Sequence, residues 1–128
     1  RRSIYGSVYR NFISPFMLAF DQPAPFGTKG RRSVSNVPAQ SLALLNDPFI
    51  IEQCKLMGKK IFELEADESS SLNDLYSTIT GKRLTSDTEK KLIAFLESQS
   101  TDLGKKDQQV WADLAHVLIN SKSFLFLN

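Results

Sequence analysis

Seven polar residues resist explanation by hydrophobic burial: Asp21, Arg31, Arg32, Asn36, Gln40, Asn46 and Asp47, with Arg1 and Arg2 upstream of them. Their types define the chemistry open to them. A guanidinium fork binds a carboxylate or phosphate through two parallel hydrogen bonds, and an amide both donates and accepts. One reading makes Arg31, Arg32, Asn36 and Gln40 a contact for an anion or a polysaccharide. The other makes the whole set a structural network, with arginines bonded to carboxylates and carbonyls and with Asn36 and Asp47 as helix caps. The structural reading is favoured. Burial separates the two: guanidinium groups paired to Asp21 or Asp47 indicate architecture, whereas several opening onto one groove indicate a ligand.

Other residues with chemical potential lack company. His116 is the sole histidine, flanked on its helix by Asp113 and Asn120. A metal site typically draws on three or four ligands, so a structural or surface role is expected for it. Cys54, the sole cysteine, falls on an apolar helix stripe and reads as a small buried hydrophobe. Ser35, Ser41 and Ser69–Ser71 have no glycine-elbow context for nucleophilic catalysis. Glu63, Glu65, Asp67 and Glu68 read as a solvated helix end rather than a facing glycosidase pair. Gly6, Gly27, Gly30 and Gly81 form no phosphate-cradling loop. No catalytic residue, metal ligand or cofactor is assigned, and no self-sufficient catalytic constellation is present.

The elements that would position these side chains divide the chain in two. With 128 residues, 41% hydrophobic and 23% charged, it has the size and composition of one globular domain. Residues 1–40 carry six Lys/Arg against Asp21 alone, and residues 41–128 carry ten against thirteen Asp/Glu. A basic segment before an acidic body is able to bind an anionic polymer, to dock on the body, or to dock on an upstream domain. Docking is favoured. Tyr5, Tyr9, Phe12 and Phe16 interleave the early arginines without a nucleic-acid signature, so nucleic acid ranks third. No window approaches the roughly 18 unbroken apolar residues of a membrane span. The opening Arg1-Arg2-Ser3-Ile4-Tyr5 looks like an internal cut in a longer protein, so missing targeting signals say nothing about compartment.

The apolar spacing predicts an all-α fold: an irregular helical bundle (37–128) with a loop-rich basic N-terminal arm (1–36), in a single domain or a fragment of one. Ile4, Val8 and Phe12 favour a helix over 3–13, with Gly6 and the β-branched residues leaving a strand open, and Pro15–Phe20 favours a further turn or two. Asp21 to Asn36 is a long loop, where a site would most readily lie. Pro38 starts a helix to about Leu45 that buries Leu42 and Leu45. Asp47-Pro48 starts the next, with the stripe Ile50, Cys54, Met57, Ile61 and Leu64. Glu65–Ser71 is expected as a linker. Leu72, Leu75, Tyr76 and Ile79 mark a helix stopped by Gly81. Ser86 and Glu89 are spaced as a capping box before Leu92, Phe95 and Leu96. After a polar connection from Thr101 to Asp107, a last long helix presents Val110, Trp111, Leu114, Val117 and Leu118, with Ala115 admitting a close neighbour.

Several blocks resemble a known family. They are Arg1–Tyr5, Met17-Leu18-Ala19-Phe20-Asp21-Gln22-Pro23, Arg31–Leu42 and Leu44-Leu45-Asn46-Asp47-Pro48. Together they resemble the C-terminal part of the fifteen-fifty-three domain of unknown function. The family's Thr-Asn-Thr-Pro-Leu-Gln-Ala-Leu corresponds to Ser35 through Leu42, with changes at Ser35, Val37, Ala39 and Ser41. The end, Leu118-Ile119-Asn120-Ser121-Lys122-Ser123-Phe124-Leu125, is similar to the family's ending with Ser123 in place of a glutamate. Gly81-Lys82-Arg83-Leu84-Thr85 matches a Gly-Arg-x-Pro-Thr block only loosely, lacking its proline. The resemblance implies a large secreted or periplasmic protein of planctomycete type, often with a cytochrome-c-like region, and carries no established activity. This chain has no Cys-x-x-Cys-His and so attaches no haem c of its own.

The function expected is therefore a non-catalytic interaction or structural C-terminal module of a large exported multidomain protein, with upstream domains of the same polypeptide as partners. The alternative is part of a redox-linked or polysaccharide-active enzyme completed by upstream domains. Phe12, Phe16, Met17 and Phe26 add an expectation of self-association by the isolated chain.

Overall fold

The computed structural model describes residues 9, 11–23, 26–28, 30, 38–64, 66–103 and 107–125. Among these the chain is all-α, as the periodicity predicts. Seven helices follow in order: α1 (Pro15–Ala19), α2 (Pro38–Asn46), α3 (Pro48–Glu63), α4 (Glu68–Thr80), α5 (Ser86–Leu103), α6 (Gln108–Ile119) and α7 (Lys122–Leu125). The chain forms two units, residues 1–43 and 44–128.

The first unit is short on regular structure. Tyr9 and Phe12 face each other across a tight turn closed by the Phe12 N–H donating to the Tyr9 carbonyl at 3.0 Å. The helix expected over 3–13 is therefore absent at Tyr9 and at Asn11–Ile13; the rest of that segment lies outside the described residues. The rings of Phe16 in α1 and of Phe20 just after it meet tilted at 43°, with centroids 4.9 Å apart. The helix is stopped at Asp21, whose φ of 57° is left-handed. The Asp21 N–H donates to Leu18 O at 3.1 Å and the Gln22 N–H to Met17 O at 3.0 Å, the paired bonds of a Schellman end. Pro23 follows and cannot continue a helix.

The second unit contains every buried side chain among the described residues. Its axis is α6, which packs most extensively on α3 and also meets α4, α5 and α7. Seven side chains of α6 are buried: Val110, Trp111, Ala112, Leu114, Ala115, Leu118 and Ile119. A helix so apolar around its circumference is stable only with neighbours on several sides. Leu72, Leu96, Leu114 and Val110 are completely inaccessible and form the centre.

The closest approach is between α3 and α6. A methyl group on Gly58 would lie 2.5 Å from the Ala112 nitrogen and 2.7 Å from the Gln108 carbonyl oxygen. Those are backbone atoms that cannot swing aside, so only glycine permits this spacing. Ala112 and the fully buried Ala115 present a matching small surface.

Local chemistry sets the helix ends. Asp47, Asp67 and Asp107 each cap the helix that follows. They accept from Phe49 N (2.9 Å), from Ser70 N (3.1 Å), and from Gln109 N and Val110 N (2.8 and 3.2 Å). Because Asp67 caps α4, Glu68–Ser71 form its first turn, so the connection before it is shorter than expected. Gly81, at φ 69°, ends α4 as predicted. The capping box at Ser86 and Glu89 is not formed. Ser86 is the first helical residue, Thr85 Oγ1 lies 2.9 Å from Thr88 Oγ1, and Glu89 accepts from Ser69 of α4 at 2.7 Å. The polar connection expected from Thr101 begins later, since α5 runs on to Leu103.

Three phase assignments are also corrected. Leu42 and Leu45 are 57% and 45% exposed, and Leu44 between them is the buried residue of α2. Val117 is exposed, its place taken by Ile119. Leu64 is exposed where the α3 stripe runs out, while Ile50, Cys54 and Ile61 are buried as expected.

Candidate functional site

Of the seven polar residues singled out, Asp21, Gln40, Asn46 and Asp47 are described, and Arg31, Arg32 and Asn36 lie outside the described residues, as do Arg1 and Arg2. Asp21 is exposed and sits at the left-handed stop of α1. Aspartate tolerates this conformation better than most residues with a Cβ. Gln40 is half-buried on α2, and Asn46 is the last residue of that helix. Asp47 is half-buried and its carboxylate caps α3, with Pro48 in the first turn where no N–H is needed. The Asp47 carboxylate thus organises the backbone that follows it, whereas Asp21 contributes its backbone conformation.

His116 also has a local partner. Its Nε2 lies 3.3 Å from the Leu44 carbonyl oxygen, a hydrogen bond when that nitrogen carries the proton, and it links α6 to α2. Neither expected neighbour holds the ring. Asp113 accepts from the Gln109 amide at 2.8 Å, and the Asn120 amide donates to the His116 backbone carbonyl at 2.9 Å. Among the described residues no three His, Cys, Asp or Glu side chains gather as a metal site.

Cys54 is 2% exposed, facing the core from α3. Burial pushes its thiol above the ordinary value of 9.0, and the negative charge of Asp113 pushes it the same way. A nucleophilic cysteine needs the opposite, an electropositive and accessible setting that favours thiolate. The small-hydrophobe reading describes its surroundings.

Among its described residues the second unit has a shallow cleft of about 140 Å³ between α3 and α4. Met57, Ile61 and Leu64 line it from α3 and Leu75 and Thr78 from α4, with Lys60 and Asp74 also in its walls. It is smaller than the roughly 300 Å³ at which pockets for drug-sized ligands begin. Periodicity could not reveal it, because Lys60 and Asp74 lie on separate helices and each reads as a solvated surface charge. Exposed apolar side chains surround the same helix: Phe49, Leu56 and Leu64 are 59%, 55% and 53% exposed.

No helix of the described residues is long and apolar enough to cross a membrane. Fold and surface together define an all-α chain among the described residues, with a central buried helix and with Asp47, Asp67 and Asp107 used as helix caps. The chain belongs to the family described as PSD1, protein of unknown function (DUF1553), which matches residues 1–96. No curated protein and no solved structure matches it. The matched region stops within α5, and α6, which closes the apolar face of α3, lies beyond it, as does the Leu118–Leu125 segment.

Proposed function

We propose that this chain is a non-catalytic interaction module, the C-terminal part of a large exported multidomain protein, periplasmic or secreted, whose partners are upstream domains of the same polypeptide. The observation that carries this is a division of labour among side chains. Asp47, Asp67 and Asp107 cap helices, His116 faces a backbone carbonyl, and Cys54 is a core residue. Large apolar groups, by contrast, face outward: Phe12 and Phe26 are 86% and 75% exposed, alongside Phe49 and Leu56. Exposed aromatic and leucine side chains of this size supply apolar area that a protein partner can bury. The resemblance to planctomycete-type secreted proteins supports export and, with it, a neighbouring cytochrome-c-like region.

The test is calorimetric titration of the separately produced upstream polypeptide with this chain. Saturable binding that weakens on Phe26→Ser is the expected result. The opposing result is no binding, together with a redox or glycan-cleaving activity of the full-length protein that is lost on Arg32→Ala while the helical circular dichroism is kept. That pair of outcomes assigns residues 31–40 to an enzyme site.

A further inference from the structure

The outward face of α3 carries exposed apolar side chains between charged ones. At 100° per residue, Leu56 lies nearly opposite the buried side of the helix formed by Ile50, Cys54, Gly58 and Ile61. Phe49 lies two turns N-terminal to Leu56 on almost the same line. Glu52 and Lys59 fall on one flank of this line and Gln53 and Lys60 on the other, while Glu63, 3.7 Å from Lys59, lies close to the line itself two turns C-terminal to Leu56. The cleft lies on the flank of Lys60, towards the C-terminal half of the helix. Within the chain, Leu56 and Phe49 are both more than half exposed.

We propose that α3 pairs antiparallel with α3 of a second copy about a two-fold axis near Leu56. A two-fold perpendicular to the plane of two antiparallel helices keeps each flank facing its own kind. Glu52 of each copy therefore meets Lys59 of the other, and Gln53 meets Lys60, so both flanks are complementary in charge or hydrogen bonding. Leu56 meets its own symmetry mate on the axis. The same operation carries Phe49 of one copy to the level of Glu63 on the other's α3, beside the cleft that Met57, Lys60, Ile61, Leu64 and Leu75 line. Its 140 Å³ is close to the roughly 150 Å³ apolar cavity that accommodates a benzene molecule, so one aromatic ring suits it. A contact of this kind goes beyond docking to upstream domains, and it moves self-association from the N-terminal aromatics to α3.

Analytical ultracentrifugation of the whole chain, with cysteine crosslinking, tests this. The expected results are a mass that doubles with rising concentration, loss of the dimer on Leu56→Glu with helical content unchanged, and loss on Glu52→Lys restored by adding Lys59→Glu. Leu56→Cys should give a disulfide-linked dimer on mild oxidation, whereas Phe62→Cys on another face of α3, and the parent chain with Cys54 buried, should not. A chain that stays monomeric overturns the proposal, as does a dimer that survives Leu56→Glu or that is dissolved instead by Phe12→Ser or Phe26→Ser. If the chain is monomeric but binds the upstream polypeptide and loses that binding on Leu56→Glu, the α3 face belongs to interdomain docking, and only the homodimer is refuted.

Discussion

Residues 1–43 and 44–128 use similar apolar side chains to different ends. In the first unit Tyr9, Phe12, Leu18, Phe20 and Phe26 are all exposed, and no described residue is buried. In the second, α6 buries Val110, Trp111, Leu114 and Leu118, and Ile50, Leu72, Leu75 and Leu96 of the neighbouring helices are buried with them. Hydrophobicity alone does not build a core; it needs long helices that present a periodic face and small residues that let those faces meet. The second unit has both, in α3 and α6 with Gly58 opposite Ala112. Among its described residues the first unit holds only α1, of five residues, and residues 38–43 of α2, so neither presents a long periodic face there.

The same substitution placed in each unit gives the largest contrast. Leu114→Ala removes a fully buried side chain and should destabilise the chain by about 2–5 kcal/mol, whereas Leu18→Ala should stay within about 0.5 kcal/mol. Urea unfolding followed by circular dichroism measures both. Equal losses would show that the first unit shares the core.

Glycine replacement sharpens the comparison. Alanine is the better helix former by about 1 kcal/mol, so Gly58→Ala would stabilise an isolated α3. At the α3–α6 contact its methyl meets backbone at 2.5 Å, and the net result should be a loss of about 1–3 kcal/mol. Gly27→Ala and Gly30→Ala, with nothing within 4 Å of the new methyl, should show no loss. Thermal melts of the three variants decide the point by sign alone.

Helix ends give a smaller effect. Asp107→Ala frees two N–H groups at the start of α6 and should destabilise by about 1 kcal/mol. The smallest effect is in alkali. The folded Cys54 thiol titrates above its ordinary value of 9.0, so the native state holds a proton that the unfolded chain gives up. Its contribution to stability is complete below pH 9 and is lost as the pH rises through the higher folded value. Unfolding midpoints should drop slightly above pH 9 in the parent chain and not in Cys54→Ala, and a thiol reagent should react quickly only once urea is added.

Much of the second unit was legible in the sequence because its signals are local. The stripe of Leu72, Leu75, Tyr76 and Ile79, the stop at Gly81 and the Asp47-Pro48 start need no knowledge of a partner helix. What escaped depends on the partner. Leu42, Leu44 and Leu45 point three ways from one helix, and only the position of α6, whose His116 ring faces the Leu44 carbonyl, selects Leu44. Gly58, between Met57 and Lys59, reads as a weak point in a helix until Ala112 is set against it. Ser86 and Glu89 had the spacing of a cap, but Ser69 on α4 offered Glu89 a partner from outside its own helix. Of the candidate site, Asp47 was legible from the proline after it. Asp21 was not, since a left-handed aspartate between Phe20 and Gln22 looks like any loop residue.

Amide hydrogen exchange across the whole chain tests the central claim, that α6 and its contact with α3 hold the core. The slowest amides should lie in α3, α4 and α6, at the level of global unfolding, while those of α1 exchange far sooner. Gly58→Ala should accelerate α3 and α6 together. Protection in α1 equal to that in α6, or a Gly58→Ala chain with unchanged exchange in both helices, would contradict the account.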